Sequence, residues 1–269
     1  MLLGPFRRSR SKINWHKNPS ERNKIESISI ENKVALVTGA NRGIGKAIVE
    51  SFINHGAKKV YLAVRNPEST KALEEQFGDK VVTTQADVSD ADSIKRLAEQ
   101  AQDVDIVVNN AGVLFQSSPF GEDAEAALTK ELDVNVFGLL RVANAFADIL
   151  VKNQGALVQL NSVASIKNFA DLSTYSASKA ASYSLTQGIR WELKDKGVAM
   201  LSVHPGPIAT DMGTEAGFDD GASTTTVSEG IVEALAAGDF HLFPDEMAKQ
   251  FETAYQSFSD NIVMADFSE

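Results

Sequence analysis

From Lys33 onward, short apolar runs alternate with longer segments whose apolar positions recur every three or four residues. Val34–Val37 has no polar position and reads as a buried strand ending at Thr38 and Gly39. Gly43–His55 carries Ile44, Ala47, Ile48 and Phe52 on one helical face, and Gly56 stands where a helix C-terminus takes glycine. Val60–Val64 is the next strand, and Asn66-Pro67 supplies an N-cap and a first helical residue. The alternation predicts further strands at Val81–Thr84, Val104–Val108, Ala156–Leu160, Val198–Val203 and near Phe240–Phe243. Between them it predicts helices at Asp90–Gln102, about Glu122–Lys152, Ser173–Lys196 and Val227–Ala237, with another after Phe243. Near-continuous apolar strands belong to parallel sheets covered on both faces. The predicted fold is therefore α/β, a doubly wound parallel sheet of about seven strands with helices on both faces. No proline- or serine-rich linker divides it, so residues 31–269 read as one domain. A basic extension over residues 1–30 precedes it and is expected to be mobile.

Composition narrows the chemistry. The 269 residues include no cysteine, which excludes disulfides, thiolate metal sites and a cysteine nucleophile. The four histidines are scattered and form no H-E-x-x-H motif, so no metal is expected. The net charge of -10 is uneven: residues 1–30 hold seven basic and two acidic side chains, the remainder 19 and 34. An acidic body argues against nucleic acid as a partner, because phosphate contact is mostly electrostatic. The most apolar stretch, Val136–Val151, contains Arg141 and Asp148, so no membrane span is expected. Charges from Arg7 onward leave no secretory apolar region, and a cytoplasmic location follows as the expectation.

In such sheets, ligands bind beyond the carboxyl ends of the strands. The first of these loops is Thr38-Gly39-Ala40-Asn41-Arg42-Gly43-Ile44-Gly45. Its glycines let backbone amides approach a pyrophosphate at the start of a helix, where the dipole favours anions. The spacing is G-x-x-x-G-x-G, and Ala40 and Ala47 rule out the G-x-x-x-x-G-K-[ST] nucleotide loop. Val64, where an NAD-binding protein usually places an acid, is followed by Arg65, and Arg42 lies within the glycine loop. Two guanidinium groups suit a 2′-phosphate, which favours NADPH/NADP+ over NADH.

Tyr175 and Lys179 lie four apart on a predicted helix and so share one face. An ammonium near a phenol favours the phenolate, so Lys179 is expected to lower the Tyr175 pKa and make it a usable acid or base. Ser162 ends the preceding strand, 13 residues before Tyr175, and offers a hydroxyl to a substrate oxygen.

At this point the chain resembles the short-chain dehydrogenase/reductase family, in its branch of single-domain proteins. The resemblance runs from Lys33 to about Phe243. It rests on Thr38-Gly39-x-x-x-Gly43-Ile44-Gly45, Asp87-Val88, Asn109-Asn110-Ala111-Gly112, Asn135, Ser162, Tyr175-x-x-x-Lys179 and Pro205-Gly206, all in the family's order. It implies a Rossmann-type fold and a catalytic set of Asn135, Ser162, Tyr175 and Lys179. Tyr175 would exchange a proton with the substrate oxygen and Ser162 would orient it. Lys179 would bind the nicotinamide ribose, and Asn135 would hold a helix distortion and a water. Asp87 and Val88 would meet the adenine, and Asn110, Ala111 and Gly112 would flank the cofactor. Pro205, Gly206, Ile208 and Thr210 would line the nicotinamide side.

The activity implied is NADPH-dependent reduction of a ketone or aldehyde, the cofactor carrying the difficult chemistry. An NAD-dependent alcohol dehydrogenase and a non-catalytic dinucleotide sensor are the alternatives. Candidate substrate contacts are Val113, Leu114, Val163, Ala164, Ser165, Phe169, Leu172 and Met212, which suggest a small neutral carbonyl or alcohol. The glycine-bearing segment Gly206–Val227 is the expected lid. The resemblance also implies a homodimer or homotetramer formed by the Glu122–Lys152 and Ser173–Lys196 helices; Ala180, Ala181 and Ser184 are small enough for close helix approach, with packing inside the domain as the alternative. The acidic stretch from Asp239 to Glu269 reads as a solvated helix.

Overall fold

The computed structural model describes residues 27–218 and 220–265. The expected extension lies outside them as far as residue 26, as do the last four residues of the acidic stretch. Seven parallel strands form one sheet: β1 (Val34–Thr38), β2 (Lys59–Val64), β3 (Val81–Gln85), β4 (Ile106–Asn109), β5 (Ala156–Leu160), β6 (Ala199–Val203) and β7 (His241–Leu242). Their order is β3-β2-β1-β4-β5-β6-β7, so the winding reverses between β1 and β4. This is the doubly wound α/β fold expected from the alternation of elements.

Period-two alternation sorts the strand residues between two cores. Ala35, Val37, Val158 and Leu201 face one side and pack on α1 (Gly43–Asn54), α2 (Lys71–Phe77) and α8 (Thr224–Ala237). Val34, Leu36, Leu157 and Met200 face the other, against α3 (Ala91–Gln100), α5 (Gly138–Asn153) and α6 (Ser173–Lys194). The central strands β1, β4, β5 and β6 are covered on both faces, which is why their residues before the carboxyl end are almost all apolar. Ile28 and Ile30 belong to the first core, and the Ile28 N–H donates to Leu235 O at 2.8 Å. The packed region therefore begins before residue 31.

Most local readings match. Gly56 has φ +81° just beyond α1, and Asn66 Oδ1 accepts from the Glu68 N–H at the start of a 3₁₀ turn, Pro67–Thr70. β4 starts at Ile106 rather than Val104, and the Asp105 carboxylate just before it accepts from the Val34 N–H at 2.9 Å. The expected unbroken helix from Glu122 is instead α4 (Ala124–Glu131), a π-helical segment (Leu132–Phe137) and α5. By length and composition, the stretch Ala124–Asn153 is apolar enough to cross a membrane, but half of its most apolar window is buried inside the protein. The expected lid contains a short helix, α7 (Asp211–Glu215), and the chain's last helix is α9 (Glu246–Phe258), followed by a π-helical turn.

The carboxyl edge of the sheet is polar where its middle is not. Thr38 Oγ1 lies 3.4 Å from Asn109 Oδ1, and Asn109 Nδ2 donates to Gln159 Oε1 at 2.7 Å. Gln159 Nε2 meets Ser182 Oγ, and Ser182 Oγ donates to Asn161 Oδ1 at 2.9 Å. Asn161 Nδ2 donates to Ser202 Oγ at 2.9 Å, and Ser202 Oγ reaches His204 Nε2 at 2.7 Å. Every one of these side chains is buried, and their mutual bonding offsets the cost of desolvation.

Burial pushes the His204 pKa down to about 3 and that of His241 down to about 4, with the two rings also repelling each other's charge at His204. Unfolded histidine titrates near 6.5, so the unfolded chain takes up protons that the folded one refuses. Stability should be fully present above pH 6.5 and be lost as pH falls toward 4. The slope from both rings reaches about 2.7 kcal/mol per pH unit. Urea unfolding at pH 7.0, 6.0 and 5.0 measures it, and a flat profile would mean that these rings are solvated.

Candidate active site

Beyond the carboxyl ends of β1, β2, β4, β5 and β6 lies a cavity of about 340 Å³. One end is built by the glycine loop. Gly39 (φ +66°) and Gly43 (φ +53°) adopt backbone that other L-residues resist, and they lead directly into the N-terminus of α1. At Gly45 a Cβ would run into the Gly39 carbonyl and stand 2.6 Å from Asn110 Nδ2. Asn110 clamps this loop: its Nδ2 donates to Thr38 O at 2.9 Å and its N–H to Thr38 Oγ1 at 3.0 Å. A helix N-terminus reached by a loop whose glycines leave the backbone bare fits the pyrophosphate of a dinucleotide.

Asn41, Arg42, Ile44 and Arg65 also line this end, with Asp87 and Val88 beside them. Burial would raise the Asp87 carboxyl pKa. The Ser89 hydroxyl and amide, helped by the Arg65 and Arg141 charges, outweigh burial and hold the pKa below the usual carboxylate value. Arg42 Nη1 pairs with Asp211 Oδ2 at 3.0 Å, so a carboxylate from α7 sits among the guanidinium groups, which the sequence reading did not foresee.

At the other end the cavity is lined by Ala111, Gly112, Ser162, Tyr175, Lys179, Pro205, Gly206, Ile208 and Thr210, each as expected. Ser162 Oγ donates to Pro205 O at 3.3 Å and accepts from the Ala164 N–H at 3.1 Å. Lys179 is buried and donates to Leu160 O at 2.7 Å. Thr210 spends its hydroxyl oxygen capping α7, accepting from the Gly213 N–H at 3.0 Å.

Two expectations are corrected here. The expected lowering of the Tyr175 pKa by Lys179 is outweighed: Nζ is turned to Leu160 O and lies 5.7 Å from the centre of the phenol ring. Burial dominates and pushes Tyr175 up to about 12; the Ser162 hydroxyl works against it and the Glu131 charge adds to it. Burial likewise brings Lys179 down to about 8, against the attraction of Glu131. Asn135, expected to hold a helix distortion and a water, stands behind the cavity wall. Its amide is consumed behind the wall, where Oδ1 accepts from the Val113 N–H and Nδ2 donates to Val113 O and Ser178 Oγ, each at 2.9 Å. Its place in the π-helical segment agrees with the expected helix distortion. Ser165 turns away from the cavity toward His204 Nδ1, at 3.0 Å.

Val113, Leu114, Val163, Ala164, Phe169, Leu172 and Met212 do line the cavity. Pro207, Phe218 and Met247 join them without having been signalled by any motif. Another unsignalled group is Glu131, a fully buried carboxylate whose Oε1 accepts from the Phe115 N–H at 2.8 Å.

Residues 33–220 match the family model described as short chain dehydrogenase. The chain belongs to the short-chain dehydrogenase/reductase family. It is similar to an oxidoreductase of Staphylococcus saprophyticus, 33% identical over 77% of this chain and 91% of the relative. Among solved structures it is similar to a short chain dehydrogenase from Burkholderia cenocepacia in complex with NADP, with a TM-score of 0.80 and 30% identity over 86% of this chain and 98% of that one. A short-chain dehydrogenase from Streptomyces avermitilis has a TM-score of 0.76 at 27% identity, over 85% and 94% of the two chains. The short-chain dehydrogenase/reductase described here is thus an NAD(P)-dependent oxidoreductase.

Proposed function

We propose that this enzyme uses NADPH to reduce a small, uncharged ketone or aldehyde, with Tyr175 as the proton donor. The observation that carries this reading is that Ser162, Tyr175 and Lys179 open onto the same cavity as the glycine loop. The glycine loop would hold the pyrophosphate, Arg42 and Arg65 the 2′-phosphate, and Lys179 the nicotinamide ribose. The cofactor, when bound, supplies the electrons and the hydrogen that reach the carbonyl carbon.

The protein's residues serve the oxygen. Ser162 has only a 3.3 Å bond to Pro205 O to give up before donating to it. A phenol held at about 12 is protonated throughout the neutral range, so Tyr175 is poised to give a proton rather than take one. As negative charge gathers on the oxygen, the two hydroxyl donors meet it in a largely desolvated site. The Lys179 ammonium then lies close enough to stabilise the phenolate left behind. Asn135 acts as a positioning residue, fixing Val113 on the cavity wall. Leu114, Phe169, Leu172, Met212, Phe218 and Met247 supply an apolar substrate end with no charged group, which supports an uncharged substrate. The exposed Ala180 and Ser184 on α6 support a homodimer or homotetramer joined through that helix.

The test follows absorbance of the reduced cofactor with a panel of aldehydes, ketones and diketones, NADPH and NADH side by side. We expect NADPH to be preferred at least about tenfold in kcat/KM, consistent with about 1.5–3 kcal/mol for a charge-assisted hydrogen bond. Arg65→Ala should raise the KM for NADPH by a similar factor and leave that for NADH unchanged. Equal turnover with both cofactors would overturn the NADPH preference, and no turnover of any carbonyl would overturn the activity.

A further inference from the structure

Asp245 lies beyond the region matched by the family model, yet it reaches into the site. Its side chain is buried, although it carries no ion pair with a basic residue among the described residues. Both carboxylate oxygens are used by backbone. Oδ2 accepts from the Gly206 N–H at 2.7 Å, and Oδ1 accepts from the Ala248 N–H at 3.0 Å, capping α9. Gly206 is pressed against this carboxylate: a Cβ there would stand 2.6 Å from Asp245 Oδ1 and 3.2 Å from Met247 Cβ.

The peptide held in this way is the one next to the candidate catalytic serine. Pro205 O accepts from Ser162 Oγ at 3.3 Å and from the Val163 N–H at 3.0 Å. Two residues after Asp245, Met247 lines the apolar end of the cavity. A single carboxylate thus joins three things: the start of α9, the Pro205-Gly206 turn, and, through the Pro205 carbonyl, Ser162. Charged acceptors on backbone N–H groups make short, strong bonds, and a site displaced by about 1 Å loses on the order of 100-fold in rate.

We infer that Asp245 is a positioning residue for the reaction, its carboxylate fixing the Pro205-Gly206 turn so that Ser162 and the nicotinamide-side wall keep their places. The inference rests on the reading of Ser162 and Tyr175 given above, and it makes the C-terminal helix part of the machinery rather than a solvated appendage.

Asp245→Asn isolates the effect. Asparagine is as good an N-cap as aspartate, so its carbonyl oxygen retains the Ala248 bond and α9 stays capped. Its amide nitrogen then faces the Gly206 N–H and cannot accept from it. Asp245→Ser gives a second route, since its hydroxyl caps the helix but is too short to reach Gly206. Three measurements are made on the full-length protein: the thermal midpoint, hydrogen exchange of the segment containing Gly206, and kinetics with separate kcat and KM.

For both variants we expect Gly206 exchange to accelerate at least about tenfold, because its acceptor is lost. We expect kcat to fall by about 10- to 100-fold, with the KM for the carbonyl substrate within a factor of about two; the lost Gly206 bond should lower the midpoint by about 3–10 °C, the retained cap limiting the loss. Unchanged exchange, or unchanged kcat in the variants of an active parent, would overturn the inference. A large fall in midpoint with kcat and KM both intact below it would make Asp245 merely structural and would also overturn it. If the parent itself reduces no carbonyl, the proposed activity fails, and Gly206 exchange together with NADPH affinity, measured by cofactor fluorescence, still decides the role of Asp245.

Discussion

Replacing Tyr175 with phenylalanine should lower kcat/KM by about 10²- to 10⁴-fold, the usual contribution of a positioned general acid. The loss should appear in kcat, with the Kd for NADPH within a factor of about three, because the glycine loop, Arg42 and Arg65 lie on other elements. Phenylalanine fills the same buried volume and leaves no unpaired hydroxyl, so folding should be preserved. The pH profile carries the sharper signature. With the phenol held at about 12, the wild-type rate should show no fall from phenol ionisation between pH 6 and 9. Lys179, brought down to about 8 by burial, is the group whose deprotonation should reduce the rate as pH rises through that value. Stopped-flow single turnovers across this range measure both effects. A variant with full kcat would remove Tyr175 from the chemistry, and a wild-type rate that rises with pH would make it a base.

The second large effect is expected at Gly45. A methyl group there would run into the Gly39 carbonyl and crowd Asn110 Nδ2 at 2.6 Å, so the loop or its clamp has to shift. Neither is the free end of a flexible side chain: one is backbone and the other is tied to Thr38 O at 2.9 Å. Overpacking of this kind costs about 1–3 kcal/mol, which for a chain of this size lowers Tm by about 3–10 °C. Dinucleotide affinity should suffer more, since the displaced carbonyl belongs to the residue that opens the cradle. Gly45→Ala should therefore weaken NADPH binding by at least about 100-fold, read by fluorescence titration beside a thermal melt. Binding and Tm both at wild-type values would show that the loop yields easily and that its tight packing is incidental.

Features fixed by neighbours in the chain were legible. The strand β1, the helix α1 and the glycine turn between them are set by apolar runs and by positions that exclude side chains, and these signals are local. The segment over which Asn135 lies was expected to be distorted but was bounded as one plain helix. The Asn135 amide there is bonded to the Val113 backbone 22 residues away, and no periodicity encodes that contact. The helix α7 has five residues and too little amphipathic pattern to be seen. The effect of Lys179 on Tyr175 was misread because spacing brings two groups to one face without saying how deeply they are buried, and here burial outweighs charge. Asp245 and Met247 carried no signal at all. They come from a helix far downstream of every motif, and only the folded chain brings them to Gly206.

The sheet order also has a meaning for synthesis. The strand made first, β1, ends in the middle of the finished sheet, and the cavity is lined by residues from Thr38 to Met247. A ribosome adding about 5–20 residues per second releases the glycine loop roughly 10–40 s before Asp245. For that interval the glycine loop has been made without the Asp245–Met247 part of the wall. The cavity is therefore complete only once Met247, the last residue of its wall, has left the ribosome.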